Sequence, residues 1–148
     1  MKRETVVVVG AGMVGHRFCA KLRELDTSKR FTIVMIGEEP RAPYDRLNLT
    51  HYFDSRDPDE LLLAEPKFYA EHAIDLRIGE RVDEIDRVGK RVHLASGTWQ
   101  SYDQLVLATG SAAFMPQIPG IDKAGVFPYR TIEDLIAIET YATGVRSA

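Results

Sequence analysis

The sequence predicts an α/β fold, a parallel sheet with flanking helices and an antiparallel three-stranded meander. Three observations predict it. Thr5 to Val9 and Phe31 to Ile36 are β-branched, apolar runs of the length expected of strands buried on both faces. Between them Gly10, Gly12 and Gly15 open a helical stretch, so the chain begins strand, glycine turn, helix, strand. Further on, Arg81 to Asp86, Arg91 to Leu94 and Thr98 to Tyr102 alternate polar and apolar residues. The turn pairs Val88-Gly89 and Ser96-Gly97 separate them, the pattern of a meander.

The remaining elements follow in order. Val14, Phe18, Leu22 and Leu25 are spaced to form one stripe of the first helix, and Asp26-Thr27-Ser28 ends it. Glu38 to Asp57 holds Pro40, Pro43 and several charges with little periodicity; it reads as a long ordered loop with one short helix near Leu47 to Phe53. Pro66 to His72 reads as a short helix with proline in its first turn. Asp75 to Ile78 reads as a parallel strand and Gln104 to Ala108 as another buried strand, running into Thr109-Gly110. Met115 to Gly120, with two prolines, is a connector leaving the sheet. Thr131 to Ala142 is a helix: Thr131 suits an N-cap, and Glu133 and Asp134 stand in the first turn, where the helix dipole favours acids.

Composition narrows the function classes. The 148 residues are enough for one core, and 45% hydrophobic with 28% charged residues is the profile of an ordinary globular domain. A net charge of -3 supplies no electrostatic attraction for nucleic acid. Cys19 is the single cysteine, so no internal disulfide framework exists and a cytoplasmic location is expected. Met1-Lys2-Arg3 before an apolar run superficially suggests a signal peptide. Early glycines, Glu4 and the lack of a cleavage pattern argue against it. No apolar stretch approaches the roughly twenty residues of a membrane span. Neither nucleic acid nor a membrane is expected as a partner.

The glycine turn carries the chemistry. Gly10-Ala11-Gly12-Met13-Val14-Gly15 fits G-x-G-x-x-G after a strand and at the start of a helix. Gly10 permits the tight turn, a side chain at Gly12 would keep a pyrophosphate off the backbone, and Gly15 lets the helix lie close to the strand. The helix N-terminus then offers N–H groups and a partial positive charge to phosphates. Glu38 follows the second strand, roughly twenty residues past the last glycine, where a ribose-binding carboxylate is expected. Glu39 beside it keeps that assignment open. A plain structural glycine turn is the alternative to a dinucleotide site.

With the later Ala108-Thr109-Gly110, followed by Pro116 and Ile118-Pro119-Gly120, the chain resembles the two-dinucleotide-domain flavoproteins. This is the pyridine nucleotide-dependent oxidoreductase family that includes ferredoxin, rubredoxin and nitrite reductases. A closer similarity lies in three segments: Gly37 to Pro40 leading into Pro43 to Thr50, Phe68-Tyr69 with Glu71 to Ile74, and Val126 to Leu135. Together they resemble the N-terminal region of the large subunit of NAD(P)H-dependent nitrite reductases.

The resemblance implies a Rossmann-like FAD/NAD(P)-binding fold and a role for each matched position. Gly10, Gly12, Met13 and Gly15 would surround the FAD pyrophosphate and Glu38 the adenosine ribose. Arg46 matches an arginine that contacts the cofactor in relatives, and its guanidinium suits a phosphate or ribose edge. Val82 matches the position whose backbone meets adenine, while Ala108, Thr109 and Gly110 lie at a strand end beside the cofactor. Relatives on the ferredoxin-reductase branch usually carry a lysine shortly after that arginine. Here Leu47-Asn48-Leu49-Thr50-His51 has none, which favours the nitrite-reductase branch. His51 reads as a solvated loop histidine and Cys19 as a packing residue rather than a redox thiol.

The resemblance also implies that residues 1–148 are a partial FAD-binding domain. The NAD(P)H domain and the iron–sulfur and sirohaem modules would lie in later sequence, and the remainder of its own chain and a small subunit would be its partners. Thr143 to Ala148 stops just before the second glycine motif would begin. No cysteine cluster is present to ligate an iron–sulfur centre, no metal site is expected, and no residue is assigned as a catalytic acid or base. The expected activity is that of a flavin oxidoreductase that takes hydride from NAD(P)H and passes electrons onward, to nitrite through downstream centres. The alternatives are a ferredoxin or rubredoxin reductase-like flavoprotein and a non-catalytic dinucleotide-binding module.

Overall fold

The computed structural model describes residues 3–145; of the terminal segments read above, Met1 and Lys2 at one end and Arg146, Ser147 and Ala148 at the other lie outside the described residues. In chain order the regular elements are β1 (Glu4–Val9), α1 (Met13–Leu25), β2 (Phe31–Ile36), α2 (Tyr52–Ser55), α3 (Pro66–Glu71), β3 (Ile74–Arg77), β4 (Val82–Asp86), β5 (Arg91–Leu94), β6 (Trp99–Ser101), β7 (Gln104–Leu107) and α4 (Ile132–Ala142). Two 3-10 turns, Arg46–His51 and Pro58–Leu61, flank α2. The chain forms two compact units, one of Met1–Tyr44 with Leu62–Gly110, the other of Asp45–Leu61 with Ser111–Ala148.

The first unit contains both sheets. Its parallel sheet has the order β3-β2-β1-β7, and β4-β5-β6 form the antiparallel meander. Period-two alternation divides the apolar strand residues between two faces. Val6 and Val8 of β1 and Ile33 and Met35 of β2 join Cys19 of α1 and Tyr69 of α3 in one core. Val7, Val9, Val34 and Ile36 join Val92 and Leu94 of the meander in the other. This two-sided burial explains why β1 and β2 read as unbroken apolar runs. Pro66 stands at the start of α3, where the missing N–H costs no hydrogen bond.

Two expectations are corrected. β7 is an edge strand, bonded to β1 alone among the described residues, and it is not buried: Leu107 is 60% exposed. The apolar stripe of α1 is only partly covered. Phe18 and Leu22 pack on the core, but Val14 is 70% and Leu25 68% exposed, while Gly15 and Cys19 form the buried face. An apolar strand and an apolar stripe declare that a surface can be covered, not that it is.

The turn from α1 to β2 is built on Asp26, a buried charge. Its carboxylate accepts the backbone N–H groups of Arg30 (2.8 Å) and Phe31 (3.0 Å) and pairs with the Arg23 guanidinium at 3.1 Å. Arg23 in turn donates to the carbonyls of Phe31 and Ala73, tying α1 to the starts of β2 and β3.

The second unit holds α2 and α4. Thr131 caps α4 as expected, in a capping box. Its hydroxyl accepts the Asp134 N–H at 3.2 Å, and the Asp134 carboxylate accepts the Thr131 N–H at 2.8 Å. Glu139 links the two helices, accepting from the Tyr52 hydroxyl at 3.1 Å and pairing with Arg56 at 2.7 Å. Ile132, Leu135, Leu49, Tyr52 and Leu61 are buried. Among the described residues no helix is long and apolar enough to cross a membrane.

Candidate functional site

The carboxyl ends of the parallel strands carry the glycine turn and its neighbours. Val9 pairs with Ile36 on one side and Leu107 on the other, so the residues that follow these strands leave the sheet side by side. These are Gly10 to Gly12, Gly37 to Glu38, and Ala108 to Gly110. Backbone hydrogen bonds hold them: the Gly10 N–H donates to the Ile36 carbonyl (2.8 Å) and the Ala108 N–H to the Val9 carbonyl (2.8 Å). In open parallel sheets this edge is where ligands bind.

The three glycines answer to different causes. Gly10 has φ +117°, and a Cβ there would run into the Ala108 carbonyl group. Gly15 has the Gly10 carbonyl oxygen where its Cβ would stand. Both are required by the packing of the chain itself. Gly12 is not. Its φ of -104° suits any residue, and a Cβ would meet nothing within 4 Å. Gly12 is the N-cap of α1 and makes no side-chain cap, so the first turn of the helix opens onto that free space. Met13, the first residue of α1, is half-buried. The N-terminus of a helix leaves backbone N–H groups without intrahelical partners and carries a partial positive charge, so the donor chemistry here suits an anionic group such as a phosphate.

Glu38 and Glu39 are distinguished by the structure. The Tyr44 hydroxyl donates to the Glu39 carboxylate at 2.6 Å, which commits Glu39 to the interior of its loop. Glu38 is exposed, and its carboxylate lies 3.9 Å from the Arg81 guanidinium. Sequence reading missed both Tyr44 and Arg81, because each meets its acid through the fold rather than at a fixed spacing.

Val82 opens β4, half-buried opposite Leu94. The strand is brought to the edge by backbone bonds: Glu80 N–H to the Gly37 carbonyl (2.9 Å) and Gly79 N–H to the Glu39 carbonyl (2.8 Å). Ala108 is half-buried, and Thr109 and Gly110 are exposed at the end of β7. Of the ten residues named from the sequence, nine thus belong to one unit. Arg46 belongs to the second unit, where its guanidinium donates to the Arg130 carbonyl at 3.1 Å.

The remaining candidates have structural roles. Cys19 is fully buried with its thiol 3.7 Å from the Met35 sulfur, and burial pushes its pKa up to about 12, against the influence of Arg23. It is a packing residue, as expected. His51 is exposed. His16, on the second turn of α1, meets the Tyr69 hydroxyl at 2.9 Å through Nδ1. Burial, with the charge of Arg17, holds its pKa below the ordinary histidine value. No group of three or more potential metal ligands occurs among the described residues.

Known proteins share this arrangement. Residues 4–146 match the model of the pyridine nucleotide-disulphide oxidoreductase family. The nitrite reductase (NADH) large subunit of Escherichia coli is 42% identical over 142 residues, covering 96% of this chain and 17% of that protein. Rhodocoxin reductase of Rhodococcus erythropolis is 36% identical over 129 residues, covering 86% of this chain and 30% of that protein. A ferredoxin reductase from Rhodopseudomonas palustris superposes with a TM-score of 0.87 at 32% identity, over 96% of this chain and 35% of its own. The chain therefore spans less than a fifth of the nitrite reductase large subunit that it matches. With nearly all of its length accounted for by the family pattern, the chain belongs to the pyridine nucleotide-disulphide oxidoreductases.

Proposed function

We propose that this chain is the FAD-binding N-terminal part of an NAD(P)H-dependent flavin oxidoreductase, most closely of the nitrite-reductase kind. The free space at Gly12 carries the reading, since it is the one glycine of the motif that the chain's own packing does not require. Gly10, Gly12, Met13 and Gly15 hold the pyrophosphate, Glu38 accepts from the ribose hydroxyls, and the backbone at Val82 meets the adenine. Ala108, Thr109 and Gly110 border the cofactor at the end of β7, and Arg46 serves a phosphate or ribose edge.

Bound FAD supplies the hydride and electron transfer; the chain's residues anchor and orient it. In this proposal, the nicotinamide site, the iron–sulfur and sirohaem centres and the reduction of nitrite belong to other sequence of the parent protein. The remainder of that chain and a small subunit are its partners, and the setting is cytoplasmic. The nitrite assignment is supported by 42% identity to two nitrite reductase large subunits, those of E. coli and Klebsiella oxytoca. A second reading, electron delivery to a ferredoxin-like carrier, is supported by the similarity to rhodocoxin reductase.

The test is FAD titration of the full-length protein and its Gly12→Val variant, followed by NADH oxidation with nitrite or a ferredoxin as acceptor. Saturable binding that is lost in the variant, with nitrite-dependent turnover, supports the proposal. Turnover with ferredoxin alone selects the second reading. Unchanged FAD binding in the variant removes the pyrophosphate from the glycine turn.

A further inference from the structure

We infer that Arg81 is a positioning residue of the adenosine site, acting through Glu38. The inference rests on the assignment of Glu38 to the ribose. Glu38 and Arg81 stand on two segments stitched together by backbone bonds: Gly37 N–H to the Arg77 carbonyl, Glu80 N–H to the Gly37 carbonyl, and Gly79 N–H to the Glu39 carbonyl, all 2.8–2.9 Å. Arg81 is further held by its own carbonyl, which accepts the Ala95 N–H at 2.8 Å. The two side chains therefore face each other from anchored backbones, with Nε 3.9 Å from the Glu38 carboxylate. Val82, the next residue, begins β4.

In the free protein this pair contributes little. Both side chains are more than two-thirds exposed, and exposed pairs are screened by water. A bound adenosine changes the balance. A ribose seated on Glu38 strips water from one side of its carboxylate, and a charge that loses water needs a partner. Arg81 is that partner: it stays on the open side of the acid while the other carboxylate oxygen accepts from the diol. The alternative acid, Glu39, has the Tyr44 hydroxyl in this role and is turned into the loop. Arg81 thus belongs to the site by pairing with the acid that reads the sugar, not by touching the chemistry.

The test uses the full-length protein stripped of FAD, its Arg81→Gln, Arg81→Lys and Glu38→Gln variants, and two cofactors: FAD and FAD built on 2′-deoxyadenosine. Arg81→Gln is expected to leave the melting temperature of the apoprotein unchanged and to weaken FAD by roughly three- to tenfold. Arg81→Lys should restore most of the loss. The same substitution in the Glu38→Gln background, or with the deoxy cofactor, should have little further effect. An equal loss for both cofactors would show that Arg81 acts elsewhere and would overturn the inference, as would normal FAD binding by Arg81→Gln when Glu38→Gln binds weakly. Normal binding by Glu38→Gln itself would instead remove Glu38 from the ribose, and the inference with it.

Discussion

Gly10 and Ala108 are in such close approach that a Cβ on Gly10 would occupy the place of the Ala108 carbonyl oxygen and lie 2.9 Å from the Thr109 nitrogen. The turn after β1 and the end of β7 are thereby fitted to each other before any ligand is considered. Gly10→Ala adds this clash to a φ of +117°, so it is expected to destabilise the protein by more than about 2 kcal/mol. Gly12→Ala meets no atom and changes only an N-cap, where alanine is less favourable than glycine, at a cost of about 0.5–1 kcal/mol. Denaturant titration of the two variants checks the contrast: a similar loss in both would mean that Gly12 is needed by the fold rather than by a ligand.

His16 and Tyr69 join α1 to α3. Tyr69→Phe removes the hydroxyl 2.9 Å from Nδ1 and is expected to cost about 0.5–1.5 kcal/mol. Burial, with Arg17, depresses the His16 pKa in the folded state, so protonation favours the unfolded chain. Its contribution to stability is intact above the unfolded histidine value of about 6.5 and is lost as pH falls through the lower folded value. Stability measured between pH 8 and 5 should decline, and a His16→Gln variant should decline less. An upward-shifted His16 resonance titration by NMR would contradict this.

Asp26 works in a lower pH window. Burial raises its pKa, but the N–H groups of Phe31 and Arg30, the Arg23 guanidinium and the Ser28 hydroxyl outweigh that and leave it below the usual carboxylate value. A depressed carboxylate contributes stability above its unfolded pKa of about 3.9 and loses it as pH falls through the folded value. Asp26→Asn should therefore lower the melting temperature at pH 7 and flatten its dependence on pH below about 4. Equal slopes in both proteins would show that other carboxylates govern acid unfolding.

Cys19 should be chemically silent. With the pKa at about 12 the thiolate is a trace species at pH 8, and the sulfur is buried against Met35. Alkylation by iodoacetamide is expected only when denaturant opens the core. Rapid labelling of the native protein would remove Cys19 from the packing role and reopen it as a redox thiol.

Much of this was legible in the chain of residues. β-branched runs, glycine spacing and turn pairs are local signals with a direct backbone meaning, and they located β1, α1, β2 and the meander within a residue or two. The capping box of α4 was half visible: Thr131 and Asp134 were read for their places, but not as reciprocal partners. The segment Glu38 to Asp57 was less legible. Its turns are held by contacts such as Tyr44 with Glu39 and the Asp45 N–H with the Leu61 carbonyl, for which no periodicity exists.

By itself the sequence determined the order of elements, the glycine motif and the family pattern, because each depends on neighbours along the chain. The tertiary structure alone decided which glycine of the motif faces open space, which of two adjacent acids remains exposed, and that β7 bonds to β1 alone among the described residues. These are properties of groups distant in sequence and adjacent in space. A glycine imposed by a carbonyl 98 residues away, as Gly10 is by Ala108, and a glycine facing open space look the same in a sequence; only the packed backbone tells them apart.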